Sequence, residues 1–250
     1  MTSLTRAYQA ELKKTRQAVA NHVERQWRAL PDHRDDKIAG FLEGVLPVVE
    51  AGQARAVALT DAYLSSRLGL TGPVGLAVDK LTGAAVRNGV LPADVYTRPF
   101  VTVWASIATI GYEAAKAKAL ARLLSTAEMD VAMSARDATV AFGQENGSRV
   151  VGWVRVADPD CCDFCQMIDG ARTGPTEPQP LHNNCGCTAD PIEVDSPMAS
   201  DISNMLAPGD VVDDVAIEHH GELGPVITYK DDNFTSVHDL PATYKQEVNN

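Results

Sequence analysis

All five cysteines of this 250-residue chain lie between positions 161 and 187, and with one histidine they carry its strongest chemical signal. Cys162-x-x-Cys165 presents two thiols on one turn, where they can share a tetrahedral ion. His182-x-x-Cys185 supplies two further donors. These four match the two-residue spacings usual for zinc, Cys187 is an alternative to Cys185 or His182, and Cys161 stands outside the set. Four protein ligands leave no coordination position for water, so the chemistry is that of a structural zinc rather than a hydrolytic one. Paired disulfides are the competing reading. They leave one thiol over and need an oxidising compartment, whereas the N-terminus offers polar Thr2, Ser3 and Thr5 in place of a basic and then apolar leader.

The segment that must hold these ligands, Asp158 to Asp190, is rich in Pro and Gly and opens on an Asp158-Pro159-Asp160 turn, so its backbone is not mainly helical. Before it, Val150, Val151, Trp153, Val154 and Val156 predict a strand over Arg149 to Ala157. Everything earlier reads as helix. Leu4, Tyr8, Leu12, Val19, Val23, Trp27 and Leu30 form one stripe of a helix from Thr2 to Leu30, with a stop at Pro31-Asp32. A second helical stretch runs from Asp35 to Leu68 with Pro47 as a kink or division. A shorter helix is predicted over 74–97 with a loop at Asn88-Gly89, and a long one from Pro99 to Phe142 with candidate divisions at Gly111 and Thr126. Beyond residue 195 the chain reads as extended, with a strand candidate at Pro225 to Tyr229 and a helix candidate at Ala242 to Val248. The expected fold class is therefore α+β: a helical region over 1–145, a zinc-stapled α+β segment over 146–195 and an acidic, partly ordered tail over 196–250.

Composition sets the outer bounds. With 45% hydrophobic and 22% charged residues, 18 Gly and 14 Pro, the chain has the make-up of a folded protein with a core and is neither collagenous nor low-complexity. No window approaches the roughly 18 apolar residues of a spanning helix, so no membrane partner is expected. The net charge of −11 argues against free-standing affinity for nucleic acid or anionic lipid. All of it arises in residues 190–250, with 13 acidic and 2 basic side chains. Around the cysteines only Arg172 faces Asp158, Asp160, Asp163, Asp169, Glu177 and Asp190, a poor setting for a zinc-bearing nucleic-acid module.

The order of these elements resembles the Mu F-type minor head proteins of tailed bacteriophages. The likeness spans about residues 128 to 190: an Ala-rich helix with an Asn-Gly end, the strand with Trp153, then Asp160, Cys162-x-x-Cys165, Asp169-Gly170 and Pro180-x-His182-x-x-Cys185-x-Cys187. The family's usual ending is close to His-Pro-Asn-Cys-Arg-Cys. Asn183 stands here for the Pro and Gly186 for the Arg, which leaves the ligands intact and removes a cationic contact.

The resemblance implies a non-enzymatic minor head protein of the virion, made in a bacterial cytoplasm. It would associate with the portal protein or procapsid interior, with the major capsid or scaffold protein as further partners, and act in head assembly or DNA delivery. Weak contact with packaged DNA would fall to Lys13, Lys14, Arg16, Arg25 and Arg28. Related phage genes are described as capsid maturation proteases, which makes a protease the alternative. The sequence has no Gly-x-Ser-x-Gly elbow, and only Ser134, Ser148 and Ser236 with His219, His220 and His238 as scattered candidates. Adjacent His219-His220, between Glu218 and Glu222, reads as a solvated loop. His22 and His33 read as ordinary members of the charged helical region. Gln9-Ala10-Glu11, the one match to an ADP-ribosyltransferase Gln-x-Glu pair, falls on the first helix, the wrong context for a nicotinamide pocket, and phosphate-cradling glycine loops are missing.

Overall fold

A computed structural model describes residues 2–161, 163–181, 186–200, 211–212 and 215–229. Four long helices come first: α1 (Ser3–Ala29), α2 (Ile38–Arg67), α3 (Pro92–Ile110) and α4 (Tyr112–Glu145). The Thr2 side chain caps α1 by accepting from the Thr5 N–H. Tyr8, Leu12, Val19, Val23 and Trp27 of the predicted stripe are buried, while Leu4 at its edge is exposed. α4 packs against α1, α2 and α3. Trp27, Phe41 and Phe100 meet edge to face, with centroids 5.0 to 5.7 Å apart, and tie α1, α2 and α3 at one end.

Three helical expectations change. Pro47 does not divide α2: its missing N–H forfeits one bond, and Phe41, Val45 and Val49 on either side of it are buried in the core. Thr126 does not divide α4: it lies inside the continuous helix, its hydroxyl donating back to the Arg122 carbonyl. Gly111 does divide, at φ +77°. The shorter helix predicted over 74–97 is replaced by 3-10 turns at Val78–Lys80 and Ala85–Arg87, and α3 begins at Pro92 rather than after Pro99. The cause lies in α2. The buried Asp61 carboxylate accepts from the backbone N–H groups of Val74, Gly75 and Leu76, and Gln53 accepts from Gly83 N–H, so those donors are taken from any helix.

After the helices the chain is an α+β mixture. β1 (Val150–Val156) is the centre of a three-stranded antiparallel sheet in the order β2-β1-β3, with β2 at Arg172–Thr173 and β3 at Thr188–Glu193. Pro191 is tolerated because β3 is an edge strand. The short helix α5 (Asp163–Met167) lies between β1 and β2. Val150, Trp153 and Ala189 belong to the same apolar core as the helices.

The tail is more ordered than expected where it is described. β4 (Val211–Val212), β5 (Val215–His220) and β6 (Gly224–Tyr229) form a second antiparallel sheet. The strand candidate is therefore β6, whereas His219 and His220 sit in β5 rather than in a loop. Gly224, at φ +72°, returns the chain and pairs with His220. The helix candidate at Ala242 to Val248 lies outside the described residues. Among the described residues no helix is long and apolar enough to cross a membrane.

Candidate functional site

The register of β1 sets where Cys187 stands relative to the segment that carries Cys161 and Cys165. Val156, the last residue of β1, pairs with Thr188, the first of β3. Cys187 therefore arrives at the end of β1 from which the segment containing Cys161 and Cys165 departs. Asp158 lies between Cys161 and Gly186. Its carbonyl accepts from Cys161 N–H, and its carboxylate accepts from Asp160 N–H at 2.8 Å and abuts Gly186 so closely that a Cβ there would lie 2.3 Å from Oδ2. The Asp169-Gly170 pair closes the turn: Asp169 accepts from Ala157 N–H at 2.8 Å, and Gly170, at φ +80°, donates to the Arg155 carbonyl at 2.9 Å.

Of the five candidate ligands, Cys165 and Cys187 are described, and Cys162, His182 and Cys185 lie outside the described residues. Cys165 is fully buried on α5, and the Arg155 guanidinium donates to its sulfur at 3.4 Å and to the Pro180 carbonyl at 2.9 Å. Leu181, next to His182, is pinned to β6 by donating to Pro225 and accepting from Ile227. Among the described residues no group of three or more His, Cys, Asp or Glu side chains converges on a metal position.

α1 and α4 form the support. Gln9 is buried and its amide donates to the Val156 carbonyl and Thr188 hydroxyl, both at 3.2 Å, bridging β1 and β3 where they meet the cysteine segment. Lys13 pairs with Asp160 at 2.7 Å. Trp153 donates its indole N–H to Pro175 and packs on Gly143 of α4. A cavity of about 40 Å³ lies among α1, α4, β1 and the start of β3, with Arg16, Arg136, Arg155 and Cys187 on its wall. Spacing singled out the cysteines. Arg155 carried no local signal, Asp158 was legible only as a turn residue and Gln9 only as part of a Gln-x-Glu match, because the roles of Gln9 and Arg155 are defined by partners elsewhere in the chain.

A second charged cluster fastens the hairpin of β5 and β6 to the helices. Arg87, 1% exposed, pairs with Asp130 of α4 and with Glu222 of the β5–β6 turn, Tyr96 donates to Asp130 at 2.9 Å, and Arg98 holds Glu222 at 2.9 Å. Burial pushes the Glu222 carboxyl up, but the Arg87 charge and the hydrogen bonds from Arg98 and Arg87 outweigh it and hold that carboxyl below the ordinary range. Burial raises Asp130 against the same Arg87 charge. His33 is lowered chiefly by burial, then by Lys116.

The remaining candidates have structural surroundings. Ser134 is buried on α4, Ser148 is exposed after it, and His220 Nδ1 accepts from the backbone N–H groups of Glu222 and Leu223. Ser236 and His238 lie outside the described residues. Lys14 pairs with Glu11, Arg28 with Glu24, and Arg16 is buried. No family model, curated protein or solved structure matches this chain.

Proposed function

We propose that this chain is a non-enzymatic minor head protein of a tailed phage, residing in the virion head beside the portal or procapsid interior, with a zinc ion stapling its cysteine segment. The observation that supports the reading is that Cys187 enters β3 at the end of β1 from which the segment with Cys161 and Cys165 departs, with Asp158 against Cys161 and Gly186 and Asp169-Gly170 closing the turn. A spacing that suits one ion, carried on segments that leave and enter the sheet at the same end, suits a single staple.

The donor chemistry fits zinc. Three thiolates and one imidazole around a divalent cation carry a net charge of about −1, and the buried Arg155 beside Cys165 supplies the compensating positive charge. Cys162, Cys165, His182 and Cys185 would be ligands, with Cys187 as the alternative to Cys185 or His182. Bound there, zinc contributes folding energy to a segment with little apolar core of its own. Gln9 and Lys13 fasten that segment to α1, which leaves the helices as the docking body for portal, capsid or scaffold protein.

Elemental analysis of the purified protein is expected to find about one zinc per chain, and chelation to raise thiol reactivity and hydrogen exchange between residues 158 and 190. Co-purification with the portal protein tests the assembly role separately. Metal-free protein with mass evidence for paired cysteines rejects the staple. Cleavage of a capsid precursor, abolished by substituting one Ser or His, replaces the assembly role with a protease.

A further inference from the structure

The C-terminal half of α3 presents an apolar face with no cover among the described residues. From Pro99 to Tyr112 the chain contains no charged residue. Val101, Trp104, Ala105 and Ala108, at spacings of three, four and seven, lie on one side of the helix, and all four are exposed. Ile107, off the edge of the stripe, and Ile110, the last residue of the helix and on its other side, are 42% and 45% exposed. Thr102 and Val103, on the opposite side, are buried. Trp104 is not loose, because its indole N–H donates to the His33 carbonyl at 2.9 Å. A surface helix ordinarily turns charge to water, and one that is apolar on both sides requires a second layer.

The order of side chains along the stripe identifies that layer. The large residues, Val101 and Trp104, precede the small ones, Ala105 and Ala108. If a second α3 runs antiparallel across the first, Trp104 of each copy lies over Ala105 of the other, and Val101 lies over Ala108 of the other. Each bulky side chain then meets an alanine, and a two-fold axis passes between positions 104 and 105, the geometry of an isologous helix pair. An uncharged face adds no repulsion between identical copies. Three turns of helix cover on the order of 500 Å² per copy, somewhat under the roughly 800 Å² of a standard interface, which suits a reversible dimer with a dissociation constant of about micromolar order.

The geometry points to self-association of this protein through α3, as a two-fold antiparallel pair centred between Trp104 and Ala105. This pairing does not depend on the metal segment or on the head-protein reading.

Sedimentation equilibrium of the full chain across the micromolar range tests it. The wild-type protein is expected to shift from monomer to dimer with concentration. Ala105→Glu, at an exposed helix position, is expected to weaken association about thirtyfold or more while leaving the helical circular dichroism unchanged. Ala105→Lys is expected to do the same. Mixing the Glu and Lys variants is expected to restore a heterodimer, since the two 105 positions flank the axis; a merely destabilised helix would not be rescued. A wild-type chain that stays monomeric throughout, or dimers indifferent to both variants, overturns the proposal and leaves the face to a different protein.

Discussion

At the scale of single residues, the support of the cysteine segment depends on close approaches that only small side chains permit. At Gly143 of α4 a Cβ would lie 2.7 Å from Trp153 Cζ2 and 2.8 Å from the Pro175 carbonyl oxygen, the same oxygen that accepts from the Trp153 indole. Gly143→Ala is therefore expected to destabilise the protein by about 1–3 kcal/mol, read from its denaturant midpoint, because overpacking pushes the indole off its acceptor. An unchanged midpoint would show that Trp153 relaxes without cost. The same reasoning explains Gly186, where the resembled family usually carries Arg: with the Asp158 carboxylate packed on it, a larger residue requires Asp158 to move. The cysteines and His182 stood out as candidate ligands from spacing alone. The glycines did not, since a glycine inside a helical pattern announces a cost but not the aromatic ring that explains it.

At the scale of elements, Glu222 is the hinge pin of the C-terminal hairpin. Its carboxyl is held below the ordinary value in the folded protein, so its contribution is fully present above about pH 4.5 and is lost as the pH falls through the lower, folded value. Acid is thus expected to release the β5–β6 hairpin before the helices unfold. Hydrogen exchange at Ile227 N–H, which donates to Leu181, should accelerate below that pH, and Glu222→Gln should make the same amide exchange faster at neutral pH with a flatter pH dependence. Protection that is indifferent to both would remove the latch. The hairpin also shows where sequence reading stops. Polar His219-His220 between two glutamates looks like loop, yet pairing with β6 makes it strand. Likewise, apolar residues at helical spacing over 74–97 lost to backbone donors captured by Asp61 and Gln53, partners on another helix. Long amphipathic runs such as α1 suffered no such competition, and the predicted Thr2 to Leu30 differs from Ser3–Ala29 only at its ends.

At the scale of the whole molecule, the helices and the first sheet share one apolar core. Trp27 on α1 and Trp153 on β1 are both almost wholly buried in it. Thermal unfolding followed by helical circular dichroism and by tryptophan fluorescence is expected to give coincident transitions. Separated midpoints would mean that the sheet melts independently of the helices. The Arg87 cluster adds a temporal constraint. Its three anionic and cationic partners come from α3, α4 and the β5–β6 turn, and Glu222 is the last of them to leave the ribosome. Until that carboxylate emerges, the guanidinium has Asp130 alone to balance it, and Arg98 has no counter-charge in the cluster. A chain truncated before the β5–β6 turn lacks the one carboxylate that Arg87 and Arg98 share, and its charge lock stays open.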